Sequence, residues 1–282
     1  MISCVICSRQ PNISKELKDN IESTIGCEYE LVVIDNSKNE YSIFSAYNEG
    51  VRRAKGEILC FMHEDVFFHS NEWGKLVESY FTQNPKVGLL GVAGGHYLSS
   101  YPHGWWETET RSGHLIQGFL EDGVYKTKLD NWIIYKETPT KVCAVDGLWL
   151  CMPSMMFEQM KWDDYTFKGF HGYDMDMSLQ VWNAGFEVHI FWDMLIEHKS
   201  SGNTNADFRQ TYENLWSKWH LLLPMLKGLE LSDEEMRIID MQLVSQSQDT
   251  DIQRIYASRI YRIGKCVLKP FSYFRRLIKR KK

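Results

Sequence analysis

Short apolar runs alternate with amphipathic segments over the first part of the chain. The apolar runs predict strands at 2–7, 30–34 and 57–62, and the segments between them, 14–25 and 41–54, have helical spacing. Strands that alternate with helices favour parallel pairing and a doubly wound α/β sheet. Each predicted strand is followed by polar residues, and in such sheets ligands bind at the carboxyl ends of the strands. The sequence therefore predicts a ligand site at that edge.

The rest of the chain has a less regular pattern. The segment 94–140 is rich in Gly, Trp and Tyr, which predicts loops and short antiparallel strands. The last 50 residues have helical spacing that Gly264 and Pro270 interrupt. We therefore predict an α/β domain at 1–226 and a helical extension at 227–282. The remaining predicted elements are helices at 73–83, 155–160, 174–184 and 206–226, and strands at 87–93, 142–145, 186–191 and 194–196.

Charge is distributed unevenly along the chain. The segment from Arg254 to Lys282 holds 11 of the 32 basic residues and none of the 37 acidic ones, so an acidic body carries a basic tail. Basic amphipathic helices are typical of membrane-surface segments. Packing of the tail on the acidic body is the alternative. We expect peripheral contact with the inner face of the cell membrane, and no nucleic-acid binding, because the body is acidic.

The seven cysteines are scattered and odd in number, which argues against a disulfide framework. Cys4 and Cys7 lie within a predicted strand, whereas a redox Cys-x-x-Cys motif opens a helix. The start of the chain lacks the basic segment of a signal peptide. No apolar run approaches the roughly 18 residues of a membrane span. We therefore expect a cytoplasmic protein in a reducing compartment.

Three polar clusters have residue types suited to chemistry. His63-Glu64-Asp65 follows an apolar strand, where a carboxylate can hold a divalent cation beside a diphosphate, although such pairs are often only solvated. Asp174 and Asp176 lie at a predicted helix start, where they can cap the helix or act as a general base. His198 follows a strand and can be a metal ligand or a packed side chain. Neither a dinucleotide fingerprint nor a P-loop is present.

These clusters occur in an order that resembles the family 2 glycosyltransferases over about residues 1–220. The motifs that carry the resemblance are the opening strand with Ser8-Arg9, the second strand with Asp35-Asn36-Ser37, the helix and turn from Tyr47-Asn48-Glu49-Gly50 to Ala54-Lys55-Gly56-Glu57, His63-Glu64-Asp65 in place of Asp-x-Asp, Asp146-Gly147, Tyr173-Asp174-Met175-Asp176 in place of Glu-Asp-x-Asp, and His198.

The resemblance implies a GT-A fold, which is a Rossmann-like sandwich with a mostly parallel central sheet. It implies inverting transfer of a sugar from a nucleotide diphosphate to an acceptor hydroxyl, with Mg²⁺ or Mn²⁺ as the cofactor. A UDP-sugar donor, a glycan or lipid-linked acceptor and a role in polysaccharide or cell-envelope biosynthesis are the corresponding expectations.

The resemblance also implies roles for individual residues. They are catalysis for Asp174 and Asp176, metal binding for Asp65 and His198, donor binding for Ser8, Arg9, Asp35, Ser37, Asn48, His63 and Glu64, and acceptor binding for Asp146, Gly147 and Trp149.

Two positions depart from the family pattern, and they place the chain in a subgroup with His-x-Asp. His63 replaces the first Asp of Asp-x-Asp, and Tyr173 replaces the Glu of the second motif. These departures leave open a non-catalytic protein of the same fold that binds a nucleotide sugar. A nucleotidyltransferase is a third alternative, but it needs a glycine-rich basic loop after the first strand, which Ser8-Arg9-Gln10-Pro11 does not supply.

Overall fold

The structure is a computed structural model that describes residues 1–133, 139–200 and 206–257. The first half contains β1 (Ile2–Ser8), α1 (Lys15–Thr24), β2 (Tyr29–Asp35), α2 (Ile43–Arg53), β3 (Ile58–Met62), β4 (Val66–Phe68), α3 (Trp73–Gln83), β5 (Val87–Gly91), β6 (Ala93–Gly95), β7 (Tyr97–Leu98), β8 (Arg111–Glu121) and β9 (Val124–Ile133). The second half contains β10 (Thr140–Lys141), β11 (Ala144–Val145), β12 (Trp149–Pro153), α4 (Tyr173–Asn183), β13 (Glu187–Ile190), β14 (Ile196–His198), α5 (Ala206–Trp219), β15 (Met225–Leu226) and α6 (Asp233–Ala257).

The first two helices begin at serine caps. The Ser14 hydroxyl accepts a hydrogen bond from the Leu17 backbone amide at 3.1 Å, and Ser42 caps α2 in the same way through Ser45 at 3.2 Å. Such caps satisfy amides that have no partner within the helix. Each helix then packs its apolar side chains, such as Ile21 on α1, against the sheet. The predicted order of strands and helices in this region is confirmed.

The main sheet has seven strands in the order β10-β13-β5-β12-β3-β1-β2. Strands β1, β2 and β3 are parallel to one another, whereas β12 runs antiparallel between β3 and β5. Strand β1 lies between β3 and the edge strand β2, and most of its side chains are buried. Five of the seven strands run in the same direction, in line with the predicted mostly parallel sheet, whereas the inner strand β12 and the edge strand β10 are reversed.

A second sheet lies beside the first, in the order β11-β6-β8-β14-β4, with β9 paired to β8. Its longest part is the β8–β9 hairpin, where the sequence predicted only loops and short strands. The turn is formed by Asp122 and Gly123, which both have positive φ, at 52° and 77°. Asp-Gly is a typical two-residue hairpin turn, so this dipeptide was the signal that could have predicted the hairpin.

Several other predicted elements differ from the structure. The strand predicted at 142–145 is reduced to β11, and the helix predicted at 155–160 is a short 3₁₀ segment at Ser154–Glu158. Strand β12, an inner strand of the main sheet, was not predicted. The helix predicted at 206–226 ends at Trp219, since Pro224 lacks the amide that a helix needs. The strand predicted at 194–196 lies two residues later, at β14, where it pairs with β4.

One disulfide joins the inner strands of the main sheet. Cys60 and Cys151 lie opposite each other on β3 and β12, with their Cα atoms 4.2 Å apart, and their sulfur atoms are bonded. The prediction that the cysteines form no disulfide is therefore wrong for this pair, because antiparallel pairing brings together residues that are far apart in sequence. The cysteines no longer support a reducing compartment.

The chain divides into two units, Met1–Leu231 and Ser232–Lys282, and helix α6 is the described part of the second. The predicted boundary at residue 226 stays a prediction. No helix within the described ranges is long and apolar enough to cross a membrane. The basic tail after residue 257, with its predicted membrane contact, lies outside the described residues.

Candidate active site

The carboxyl ends of three parallel strands meet at one edge of the main sheet. Ser8 at the end of β1 is opposite Asp35 at the end of β2. Met62 at the end of β3 is opposite Ile6, two residues before the end of β1. The reversed strand β12 begins at this same edge, since Trp149 is opposite Met62. The topology therefore brings the loops after β1, β2 and β3 together with the loop before β12.

A cleft of about 930 Å³ opens at this edge. Its lining combines polar residues at the strand ends with aromatic side chains from α4, α5 and the loops between the sheets. The lining includes Arg9, Asn36, Asn39, Tyr41, Ser42, His63, Glu64, Asp65, Trp106, Asp146, Gly147, Phe170, His171, Tyr173, Asp174, His198, Phe208 and Tyr212.

Three potential metal ligands converge in the cleft. His63, Asp65 and His198 each place one ligand atom within 4.8 Å of the others. His198 Nε2 lies 3.3 Å from His63 Nδ1 and 3.6 Å from Asp65 Oδ1. Antiparallel pairing of β14 with β4 sets this geometry, because it places His198 opposite Val66, next to Asp65. The sequence predicted Asp65 and His198 as ligands, and the structure adds His63 to them.

The chemistry of these three side chains suits a divalent cation. Burial, together with the nearby His198, lowers the pKa of His63 to about 4, so its ring is the neutral form that binds metals. Burial alone would raise the pKa of Asp65, but the Ser200 hydrogen bond and the two histidines outweigh it and hold that pKa below its usual value. Mg²⁺ prefers oxygen ligands, so a site with two imidazoles and one carboxylate favours a transition ion such as Mn²⁺ over Mg²⁺. The residues therefore fit the predicted cofactor.

Tyr173 holds the outer nitrogen of the His63 ring. Its hydroxyl lies 2.7 Å from His63 Nε2, and the tyrosine side chain is buried. A Cβ on Gly147 would lie 2.2 Å from the same hydroxyl, so only glycine leaves room for Tyr173 here. The two residues that depart from the family pattern, His63 and Tyr173, thus form a hydrogen bond with each other. A hydrogen bond to the second nitrogen of a ligand histidine orients its ring.

Glu64 is committed to the strand end beside it. It accepts hydrogen bonds from the Ser8 hydroxyl at 2.6 Å and from Arg9 Nε at 2.9 Å. The Arg9 side chain nevertheless stays 81% exposed and lines the cleft. Glu64 and Ser8 therefore orient Arg9, and Arg9 is the one of the three that can meet an anion in the cleft.

Two carboxylates face the cleft on the side of α4. Asp174 lies in the first turn of α4, after Gly172, whose left-handed φ of 75° turns the chain into the helix. Burial, strengthened by the negative charge of Asp146, raises the pKa of Asp174 to about 7. Burial likewise raises the pKa of Asp146, although its bond from the Leu148 amide opposes the shift. A carboxyl that titrates near neutral pH can accept a proton during a reaction.

The structure gives Asp176 a structural role in place of the predicted catalytic one. Its side chain is 1% exposed and does not line the cleft. It accepts hydrogen bonds from Lys218 Nζ at 2.7 Å, Trp219 Nε1 at 2.8 Å and Gln180 Nε2 at 2.8 Å. Asp176 lies two residues after Asp174 on α4, and its side chain points to α5. Its hydrogen bonds therefore connect α4 to α5.

Trp149 and Asn48 also lie away from the cleft lining. Trp149 is fully buried in β12, between the rings of Trp73 and Phe191, so the predicted acceptor contact is not retained. The Asn48 side-chain amide bonds both the carbonyl and the amide of Trp162, at 2.8 and 3.1 Å. Asn48 therefore fastens a loop to α2 instead of meeting the donor.

Asp35 and Ser37 form a turn at the end of β2. The Ser37 backbone amide donates to Asp35 Oδ1 at 2.9 Å, and bonds from Ser37 lower the pKa of the carboxyl. Both side chains are exposed outside the cleft lining, whereas Asn36 between them lines it. Contact of Asp35 and Ser37 with the donor stays a prediction.

Several residues that line the cleft were not predicted as site residues from the sequence. Asn36, Tyr41 and Ser42 follow the end of β2, and this position at a strand end was the available signal. Phe170 and Phe208 come from loop and helix segments whose path to the cleft depends on tertiary packing. No sequence pattern distinguishes them from aromatic residues of the core.

Solved structures of low sequence identity share this architecture. A crystal structure of GalNAc-T7 with UDP, GalNAc and Mn²⁺ has a TM-score of 0.50 at 14% identity, over 77% of this chain and 48% of that chain. The crystal structure of S. aureus TarS 1-349 has a TM-score of 0.50 at 11% identity, over 92% of this chain and 75% of that chain. The fold is the GT-A glycosyltransferase fold, as predicted.

A family profile described as "Glycosyltransferase like family" matches residues 1–220, and the chain belongs to this family. The streptomycin biosynthesis protein StrF of Streptomyces griseus is 29% identical over 188 residues, which are 65% of this chain and 61% of that protein. A protein of Fuscovulum blasticum named ATP synthase subunits region ORF 6 is 23% identical over 69% of this chain and 73% of its own length. The chain thus spans 61% of the length of the streptomycin relative.

Proposed function

We propose that this chain transfers a sugar from a nucleotide diphosphate to an acceptor hydroxyl, with inversion at the anomeric carbon. One observation carries the proposal, namely that a potential metal group and a carboxyl with a pKa of about 7 lie in one cleft. The metal group is His63, Asp65 and His198, and the carboxyl is Asp174. The same proposal makes the chain an enzyme.

The donor occupies the half of the cleft at the ends of β1 and β2. Asn36, Asn39 and Ser42 supply polar side chains there, and Tyr41 supplies an aromatic ring. Arg9 is the exposed cation beside the metal group, so it meets the diphosphate. The similar GalNAc-T7 structure contains UDP, which supports a UDP-sugar as the donor.

Asp65, His63 and His198 would hold a divalent cation, which would supply a Lewis acid for the negative charge of the leaving diphosphate. The residues around it fix the geometry before substrate arrives. Tyr173 orients His63, and Glu64 holds Arg9. Such preorganised charge lowers the barrier without rearrangement during the reaction.

Asp174 acts as the general base. The acceptor oxygen forms a bond to the anomeric carbon, the bond between that carbon and the phosphate oxygen breaks, and the hydroxyl proton passes to Asp174. A single displacement needs one base and inverts the anomeric centre. Asp146 raises the pKa of Asp174 and therefore strengthens it as a base.

The biological setting of this reaction is proposed on the family resemblance. We propose a glycan or lipid-linked acceptor, a role in polysaccharide or cell-envelope biosynthesis, and a place in the cytoplasm. Contact between the basic tail and the inner face of the membrane belongs to the same proposal.

Calorimetric titration of UDP, GDP and dTDP, with and without Mn²⁺, tests the site. We expect one nucleotide to bind in the presence of Mn²⁺ and Asp65→Asn to lose this binding. Asp122→Asn is the matched control, because Asp122 lies in the exposed hairpin turn outside the cleft lining. Binding that ignores both Mn²⁺ and the Asp65 substitution would contradict the proposed metal site.

A second experiment, which measures release of nucleoside diphosphate, distinguishes the transferase from a non-catalytic nucleotide-sugar-binding protein. The transferase releases nucleoside diphosphate from its donor when an acceptor is present, and Asp174→Asn stops the release while nucleotide binding persists. Proton NMR of the first-formed product then gives the anomeric configuration, which we expect to be opposite to that of the donor.

A further inference from the structure

A row of aromatic rings leads away from the metal group along one wall of the cleft. It consists of Phe170, His171, Phe208 and Trp106, which we call the aromatic strip. Neighbouring rings are in contact, with centroids 6.4 Å apart for Phe170 and His171, 5.5 Å for His171 and Phe208, and 5.8 Å for Phe208 and Trp106. All four side chains line the cleft.

The exposure of the strip distinguishes it from core packing. Phe170 is 51% exposed, and His171, Phe208 and Trp106 are half-buried. The ring of Tyr212 stacks on that of Phe208, with the two centroids 4.1 Å apart, and Tyr212 is by contrast buried. The strip therefore has one side supported by the core and the other open to the cleft. Contiguous exposed aromatic surface in a cleft marks a binding site.

The position of the strip relates it to the reacting groups. The Phe170 ring centroid lies 5.6 Å from that of His63 and 5.9 Å from that of Tyr173. Asp174 follows Phe170 by four residues, across the left-handed turn at Gly172. The strip thus begins beside the metal group and the proposed base, and it extends towards α5.

Inversion decides which substrate lies on this side. The nucleophile must approach the anomeric carbon from the face opposite the leaving diphosphate. The diphosphate lies towards Arg9 and the ends of β1 and β2, so the acceptor lies on the side of Asp174. The aromatic strip is an open surface on that side.

We propose that the aromatic strip is the acceptor subsite and that the acceptor presents a pyranose ring, which stacks on Phe170. One face of a pyranose carries C–H groups that pack on the electron-rich face of an aromatic ring, while its hydroxyls point sideways to polar groups. The carboxylates of Asp146 and Asp174 line the same cleft as Phe170 and can accept hydrogen bonds from such hydroxyls. This inference rests on the proposed function, since inversion defines the acceptor side.

The test uses saturation-transfer NMR with methyl glycosides of glucose, galactose, mannose and N-acetylglucosamine, in the presence of Mg²⁺, with and without UDP. We expect at least one glycoside to bind the wild-type chain. Phe170→Ala should weaken that binding about tenfold and Phe170→Leu about threefold, because both lose the aromatic contact and only the first also loses the buried apolar area. Because Phe170→Leu keeps an apolar side chain, a loss of glycoside affinity in this variant identifies stacking.

Tyr165→Ala is the matched control. Tyr165 is 85% exposed in the same segment but does not line the cleft, so its removal should leave glycoside binding unchanged. UDP titration of each variant separates the two halves of the cleft. We expect UDP affinity to be the same in Phe170→Ala as in the wild type.

Three outcomes overturn the subsite. They are no glycoside binding by the wild type in either condition, equal glycoside binding by Phe170→Ala, and a loss of UDP affinity in Phe170→Ala, which would show that the strip holds the nucleotide base. A wild type that binds glycoside through Phe170 but binds no nucleotide keeps the subsite and overturns the proposed function. The two ideas can therefore fail separately.

Discussion

Replacement of the proposed base by asparagine should make the folded chain more stable while it removes activity. The Asp174 carboxyl has a pKa of about 7 in the folded chain, against an ordinary value of 3.8, because burial and the charge of Asp146 penalise its ionised form. Since one pKa unit corresponds to about 1.36 kcal/mol, this shift represents about 4 kcal/mol. Asparagine keeps the shape of the side chain and cannot ionise.

The pH window follows from the direction of the shift. Below pH 3.8 the Asp174 carboxyl is protonated in both the folded and the unfolded chain, and it adds no pH dependence. As the pH rises to about 7, the unfolded chain loses this proton first, so the free energy of unfolding falls. Above about 7 both states are ionised, and the whole cost of about 4 kcal/mol persists. Asp174→Asn escapes this cost.

Thermal melting of the metal-free protein between pH 4 and pH 8 measures the effect. We expect Asp174→Asn and wild type to differ little near pH 4, and the variant to melt roughly 8 °C higher at pH 8. Asp176→Asn is the control on the same helix. Burial raises the pKa of Asp176 as well, but this carboxylate is paired with Lys218 and accepts a bond from Trp219, so its replacement should lower stability by about 1.5–3 kcal/mol. An Asp174→Asn variant that is less stable than wild type at pH 8 would refute the reasoning.

Three further predictions follow from neighbouring contacts. Asp146→Asn removes a charge that raises the pKa of Asp174, so the rise of activity with pH should move to lower pH, as a pH–rate profile would show; an unmoved profile would contradict the coupling. Tyr173→Phe removes the partner of His63 Nε2 and should weaken Mn²⁺ binding about tenfold or more in calorimetry, whereas equal affinity would mean that the bond does not orient the ring. Trp149→Ala opens a core cavity and should cost about 3–5 kcal/mol in urea unfolding, with glycoside and nucleotide affinities unchanged in the folded fraction; a selective loss of glycoside affinity would restore its acceptor role.

The positions of the potential metal ligands show how far local pattern reaches. Asp65 follows an apolar strand in a βαβ arrangement, so its place at the ligand edge could be predicted. The contribution of His63 to the metal group could not be predicted, because it depends on His198, 135 residues away, and on Tyr173, 110 residues away. Antiparallel β14–β4 pairing creates the first of these contacts, and no sequence pattern sets the register of such short strands.

The acidic motif of α4 shows the opposite limit. Asp174 and Asp176 both lie in the first helical turn, so the sequence could not separate a base from a structural carboxylate. The helix turns about 100° per residue, which directs one side chain to the cleft and the other to Lys218 on α5. The same reason explains Trp149, since strand position alone does not tell which face meets the core.

Transfer of one sugar residue is the most direct test of the central claim. The wild-type chain would be incubated with Mn²⁺, UDP-glucose, UDP-galactose, UDP-N-acetylglucosamine and GDP-mannose in turn, together with the methyl glycosides, and mass spectrometry would detect a glycoside enlarged by one sugar. We predict such a product from one donor, and its absence with Asp174→Asn although that variant still binds the nucleotide. Equal product from wild type and Asp174→Asn, or nucleotide binding by wild type without any transfer, would contradict the account.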